Sequence, residues 1–373
     1  MDARQIPLRR KLLYMGVMVV MLLGLCEAGL RIRAWMKYGS AIGVRDPMLT
    51  YLPEADLYVP RPGYEVKGKN IHIKINSLGF RGDEFSAAKP PDTFRIVCLG
   101  ASTTFSAEVS SNQAVWTHRL QEKLQAAYPA RRIEVINAAV GGYVAADNLK
   151  NLKHRILPLN PDLVIYYEAN NEIVWDTQKL AIARGLIGAD GGRQPAWVTK
   201  LSNVSLAFDL AYKNLAILSR SRQSSAGKID QIPRELPAHF LGVLDEMRAL
   251  LAERKIPLVV STFIVKYRRD QNRATQIANA DVAFYYMPWM SIDGMLDAMD
   301  VYNDALVKYG NREGLLVVDD RFAIPPDGQH FSDCMHLLDK GNELMAERFA
   351  RALIKAGVVA ASPTSRPAPV TPQ

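Results

Sequence analysis

The chain has 373 residues, 49% of them hydrophobic and 23% charged, with a formal net charge of +8. This composition fits one sizeable core with insertions, and its basic residues are scattered, which argues against a polyanion or nucleic-acid partner. Three cysteines exclude a paired disulfide framework, and their spacing matches no zinc pattern.

The stretch from Leu12 to Cys26 is free of charge, and Glu27 interrupts the apolar run that continues to Leu30. About 20 residues cross a bilayer as a helix, so 12–30 is expected to be a membrane anchor with Glu27 at the interface. Arg9, Arg10 and Lys11 suit a cytoplasmic flank. A cleaved signal peptide is the main competitor, but no small-x-small site closes the run. The expected arrangement is therefore single-pass, with residues 40–373 outside the cytoplasm.

Residues 40–90 are rich in Pro, Gly and Tyr. Alternation in Ile71-His72-Ile73-Lys74-Ile75-Asn76 predicts a short half-buried strand, and the segment from Asn76 to Gly82 reads as a turn pinning this extension to the main domain. From Thr93 onward strands are expected at 95–99, 133–137, 162–168, 257–264 and 315–319. Helices are expected at 112–127, 145–155, 236–254, 293–309 and 338–356. In the third of these, Phe240, Leu244, Met247 and Leu251 repeat at helical spacing and belong to the core. Alternating strand and helix implies a parallel doubly wound sheet. A long insertion, about 175–235, holds a Gly-rich turn at Asp190-Gly191-Gly192 and a Ser-rich stretch from Ser219 to Ser225. An aromatic group at Phe284, Tyr285, Tyr286 and Trp289 reads as a cap on the fold or else as a substrate wall, the cap being favoured, and the Pro-rich tail is expected to be disordered. The run Lys266, Arg268 and Arg269 reads as a solvated loop. Cys98 and Cys334 are expected to be two buried thiols.

Four strand ends carry chemistry. Gly100-Ala101-Ser102-Thr103-Thr104 follows the first strand and sets a hydroxyl at the sheet rim, where open α/β sheets bind ligands. A Ser/Thr helix cap would leave the same trace. The second strand ends in Asn137-Ala138-Ala139-Val140-Gly141-Gly142-Tyr143, whose glycines leave backbone N–H groups accessible. The third ends in Glu168-Ala169-Asn170-Asn171-Glu172, where an amide could donate to a developing oxyanion or simply form a turn. After the fifth strand comes Asp333-Cys334-Met335-His336. His336 is the candidate base and Asp333 its orienter. His330 is the rival base, set aside for want of a carboxylate in comparable register. A flavin-phosphate site at the Ser-Thr-Thr turn would leave Asp333 and His336 without a role.

In this order the four blocks resemble the SGNH (GDSL-like) hydrolase superfamily, over about 93–356, and the anchor with the Asn76–Gly82 segment resembles its bacterial membrane-tethered members, which implies a bacterial inner membrane with the catalytic domain periplasmic. The resemblance implies a flavodoxin-like three-layer sandwich with a parallel five-stranded sheet, and ester hydrolysis without metal or cofactor. It implies Ser102 as nucleophile with Asp333 and His336, and an oxyanion hole from the N–H groups of Ser102 and Gly142 and the side chain of Asn171. A register shift by one would select Asn170 instead. Two departures stand out: Ala101 replaces the usual Asp, and the third block lacks the Gly of Gly-x-Asn-Asp.

The domains then read as a flank at 1–11, an anchor at 12–30, an extension at 31–92, a hydrolase domain at 93–357 and a tail at 358–373. The expected substrate is an acylated small molecule, polysaccharide or lipid, with O-acetyl groups on envelope or exported polysaccharide foremost. An O-acetyltransferase with the same triad, or a lipid or thioester acyl hydrolase, is the alternative.

Overall fold

The computed structural model describes residues 7–38, 48–191, 195–222 and 227–360. The tail beyond Ala360, residues 1–6 of the basic flank, Gly192 and residues 223–226 lie outside the described residues.

The apolar N-terminal run forms one long helix, α1 (Leu8–Tyr38). The stretch Leu8–Met36 is long and apolar enough to cross a membrane, and its most apolar window is not buried against the rest of the protein. Two antiparallel hairpins follow, β1 (Leu49–Leu52) with β2 (Leu57–Pro60), and β3 (Glu65–Lys67) with β4 (His72–Lys74). Only the last of these four strands was legible as a strand.

The central sheet comprises β5 (Thr93–Gly100), β6 (Arg132–Asn137), β7 (Leu163–Tyr167), β8 (Leu258–Ser261) and β9 (Leu316–Val318). All pairings are parallel, in the order β6-β5-β7-β8-β9. Consecutive strands therefore leave β5 on opposite sides, and the crevice between β5 and β7 is the switch point where open sheets bind ligands. β5 and β7 are buried along their whole length, as expected for strands covered on both faces.

The helices are α2 (Ser102–Phe105), α3 (Trp116–Ala127), α4 (Ala145–Asn151), α5 (Asn170–Ala183), α6 (Ala196–Val204), α7 (Leu206–Arg222), α8 (Ala238–Glu253), α9 (Arg273–Asn279), α10 (Asp281–Tyr286), α11 (Ile292–Arg312) and α12 (Asp339–Lys355). Two neighbours on β7 show how they layer. Tyr167 meets Trp116 of α3 and Phe349 of α12, at 6.4 and 6.1 Å between ring centroids. Tyr166 points the other way, to Phe240 of α8 at 6.2 Å, and Phe240 meets Tyr302 of α11 at 5.9 Å. Successive side chains of a strand face opposite sides, so one dipeptide nucleates both aromatic layers.

The predicted core stripe of α8 holds, with Phe240, Leu244, Met247 and Leu251 fully buried. The aromatic group around α10 is a cap for the most part: Phe284, Met287 and Trp289 are buried, and Trp289 Nε1 donates to Thr177 Oγ1 at 3.1 Å. The region read as a long insertion is largely helical, since it contains most of α5 and all of α6 and α7. Cys98 and Cys334 are free and buried.

Candidate functional site

β5 ends where no side chain can be accommodated. A Cβ at Gly100 would collide with Thr104 Oγ1 and the Tyr167 carbonyl, so only glycine lets the chain turn this close to β7. The turn enters α2 at Ser102, whose N–H, first in the helix, has no intrahelical partner. The far end of this short helix is held firmly. Arg81, buried in the turn after β4, donates from Nη1 to the carbonyls of Phe105 and Ser106 at 2.7 and 2.5 Å, and from Nε to Asn112 Oδ1 at 3.0 Å. Asn137 Nδ2 donates to the Thr104 carbonyl at 2.7 Å. The segment read only as a pin between extension and domain therefore supports the seryl turn from beneath.

Across the rim, the loop after β9 brings the other two side chains. Asp333 Oδ1 accepts the backbone N–H groups of Met335 and His336, both at 2.8 Å, which fixes the carboxylate plane. Asp333 Oδ2 lies 2.7 Å from His336 Nδ1, and His336 Nε2 lies 2.9 Å from Ser102 Oγ. Hydroxyl, imidazole and carboxylate thus form one continuous chain of hydrogen bonds. Burial alone would lower the pKa of His336, but the hydrogen bond and charge of Asp333 outweigh it and raise it above the ordinary value. Asp333 shows the converse: burial opposes its ionisation, yet His336 and the two N–H groups hold its pKa below normal.

The ground on which His330 was set aside does not stand. Asp327 precedes it by three residues and lies 2.8 Å from its Nδ1, the same Asp-x-x-His arrangement. Direction separates the two histidines, because it is His336 whose second ring nitrogen meets Ser102.

The other two predicted residues converge on the same loop. Gly142 has φ +85°, a left-handed conformation that disfavours a side chain, although the space beside it is open. A Cβ on the preceding Gly141 would lie 3.9 Å from Ser102 Cβ, so this backbone runs directly beside the seryl turn. Asn171, in the first turn of α5, donates from Nδ2 to the Tyr143 carbonyl at 2.9 Å, next to Gly142. Asn170 is buried instead, and its Oδ1 has no partner.

Two residues that the sequence reading passed over brace this rim. Glu168, fully buried at the end of β7, accepts the Asn171 N–H at 2.6 Å. Glu172 accepts the Ala145 N–H at the start of α4, tying α5 to the glycine loop. The sequence signal was a charged residue closing a strongly apolar strand. Burial pushes Glu168 up to about 8 and Glu172 up to about 7, against the pull of the N–H groups they accept. At neutral pH Glu168 is therefore largely protonated. The folded state holds a proton that the unfolded chain releases near 4.5, so this contribution to stability is complete below that value and is lost as pH rises through about 8. Glu168 alone should lower stability by up to about 1.4 kcal/mol per pH unit in that window, with Glu172 adding to the slope below about pH 7. Urea midpoints measured from pH 5 to 9 should show the fall, and Glu168→Gln should flatten it while Glu172 retains part. A wild-type profile without slope would contradict a buried protonated Glu168.

Among the described residues no group of three or more His, Cys, Asp or Glu side chains could hold a metal ion. No protein-family model matches the chain, and no curated protein matches it. Solved structures with a similar chain path include an α/β hydrolase from the metagenome of Lake Arreo, Spain, at 18% identity and TM-score 0.43, over 69% of this chain and 94% of that one. Another is Axe2, an acetylxylan esterase from Geobacillus stearothermophilus, at 14% identity and TM-score 0.40, over 70% and 94%. A GDSL-like lipase from Bacteroides thetaiotaomicron aligns at 11% identity and TM-score 0.38, over 70% and 88%.

Proposed function

We propose that the protein is a serine ester hydrolase of the SGNH type, with Ser102 as nucleophile, His336 as general base and acid, and Asp333 as its orienter. The observation that carries this reading is the unbroken Asp333–His336–Ser102 hydrogen-bond chain at a sheet switch point, with distances of 2.7 and 2.9 Å. His336 Nε2 takes the Ser102 proton as Oγ attacks the ester carbonyl carbon. The resulting oxyanion is met by the N–H groups of Ser102 and Gly142 and the Asn171 side chain, each such donor worth roughly 10²–10³ in rate. Collapse breaks the ester C–O bond, and the imidazolium gives its proton to the departing alcohol. Water then enters, loses a proton to His336 and attacks the acyl carbon; the bond to Ser102 Oγ breaks as the imidazolium returns that proton to Oγ, and the acid leaves.

Asn171 is preferred to Asn170 because its amide is engaged with the glycine loop, whereas Asn170 is buried and makes no such contact through its Oδ1. The proposed substrate is an O-acetyl group on a cell-envelope or exported polysaccharide. Supporting this is α1, which with Arg9, Arg10 and Lys11 in its first turn would hold the domain on the extracytoplasmic side of an inner membrane.

The test is covalent. The full chain in detergent, treated with a p-nitrophenyl alkylphosphonate, should release one equivalent of nitrophenol and carry the phosphonyl mass on the peptide containing Ser102. Acetyl esters should be turned over faster than long-chain esters. Label on any other residue, or none, would overturn the assignment.

A further inference from the structure

Glu27 and Arg31 sit at the end of the apolar run of α1, yet neither points to bare solvent or lipid. Glu27 accepts hydrogen bonds from Ser205 Oγ at 2.9 Å, Leu206 N–H at 3.1 Å and Ala207 N–H at 2.9 Å. These groups form the N-terminus of α7. Arg31 bonds Glu27 at 2.7 Å and donates to the Val204 carbonyl, the last of α6, at 2.8 Å. A single turn of α1 therefore clasps the α6–α7 junction, with an anion on the N–H end of one helix and a cation on the carbonyl end of the other, each the favourable polarity.

Depth follows from this clasp. The uncharged stretch Leu12–Cys26 measures about 22 Å as a helix, less than the roughly 30 Å of a hydrocarbon core. If α1 spans, Glu27 lies at the edge of the apolar layer, and so must the groups bonded to it. The outward faces of both helices suit that level. Trp197, Leu201 and Val204 of α6 lie within an arc of about 60° and are 59, 45 and 72% exposed. Val198, about 60° beyond the edge of this arc, is buried. Leu210 and Leu215 of α7 are exposed as well. In water such a surface would be a liability, but beside a membrane helix it is continuous with the apolar surface of α1, where Leu25 and Ile32 are likewise bare.

We propose that α6 and α7 form an interfacial docking module that lies in the headgroup region of the bilayer entered by α1, with Trp197, Leu201, Val204 and Leu215 in contact with lipid and the Glu27–Arg31 clasp fixing its depth. This rests on the reading of α1 as a membrane span. The module gives the catalytic domain a second point of attachment, so the domain is held at a set angle to the membrane rather than swinging on a tether. α7 also packs on α10, which ties the docked helices to the catalytic domain.

The test uses the full chain in phosphatidylcholine–phosphatidylglycerol vesicles, with Cys26→Ser as background and nitroxides placed singly by Val19→Cys, Leu201→Cys, Leu215→Cys and, as an aqueous control, Lys308→Cys. Collision with dissolved oxygen is compared with collision with a water-soluble nickel chelate. Labels at positions 201 and 215 should favour oxygen several-fold over the control, at a shallower depth than position 19. Lipid exposure at 19 with water exposure at 201 and 215 overturns the docking module and leaves the span intact. Water exposure at position 19 overturns both. Protection from both reagents at 201 and 215 means that protein, such as a second copy, covers this face, and lipid is then the wrong occupant.

Discussion

Ser102→Ala should lower kcat for p-nitrophenyl acetate by roughly 10⁴–10⁶-fold with the fold intact, because only the attacking atom is lost. The Ser102 hydroxyl is bonded to His336 Nε2, and its removal leaves the Asp333–His336 pair and the two backbone bonds to Asp333 in place. Urea unfolding should accordingly be close to wild type. His336→Ala should cost a similar factor, and the double variant little more than either single one, since nucleophile and base act as one unit. Additive losses would mean that the two residues serve separate steps. A Ser102→Ala enzyme of undiminished turnover would remove the proposed mechanism altogether, whereas residual activity well above the uncatalysed rate is expected from the oxyanion donors.

Much of this arrangement could be read from the chain because it depends on local patterns. β5 and β7 announce themselves as continuous apolar runs, and a buried parallel sheet needs those runs. Gly100 precedes Ser102 for a steric reason that holds wherever a strand turns this tightly against its neighbour. Asp333 and His336 share one loop, so their pairing was visible as a spacing. The residues that escaped notice act over long sequence separations. Arg81 lies 24 residues from the Phe105 carbonyl it holds, and Glu172 lies 27 from the Ala145 N–H it accepts, with nothing in their neighbourhoods to mark the partner. α5 was hidden for another reason: its first turn carries Asn170, Asn171 and Glu172, which read as loop chemistry, and its buried Asp176 and Thr177 blur the apolar face. Asp176 is buried because Tyr302 donates to it at 2.7 Å, a contact 126 residues distant. The rival pair Asp327 and His330 shows the limit of spacing as evidence, since it satisfies the same pattern and differs only in where the ring points.

Asp333→Asn should be nearly as damaging as loss of the nucleophile, by roughly 10⁴ in kcat, although it changes a single atom. Oδ1 accepts two backbone N–H groups at 2.8 Å, so the amide oxygen of an asparagine must take that place. Its NH₂ then stands where Oδ2 met His336 Nδ1, and it can only donate. Nδ1 must therefore be the acceptor, the ring proton moves to Nε2, and His336 offers Ser102 a donor where the reaction requires a base. The pH profile separates this tautomer argument from simple misfolding. Activity needs neutral His336, so kcat/KM should rise with pH through the pKa of this residue, with a midpoint above the ordinary value because Asp333 raises it. Without that carboxylate, burial is left as the largest influence and acts downward, so the limb of the variant should move to lower pH as its height falls. Glu108, which also favours the charged ring, remains to moderate the shift. A variant whose limb stays in place, or whose kcat falls only a few-fold, would show that Asp333 is not what orients and charges the imidazole, and the base would have to be sought elsewhere on the rim.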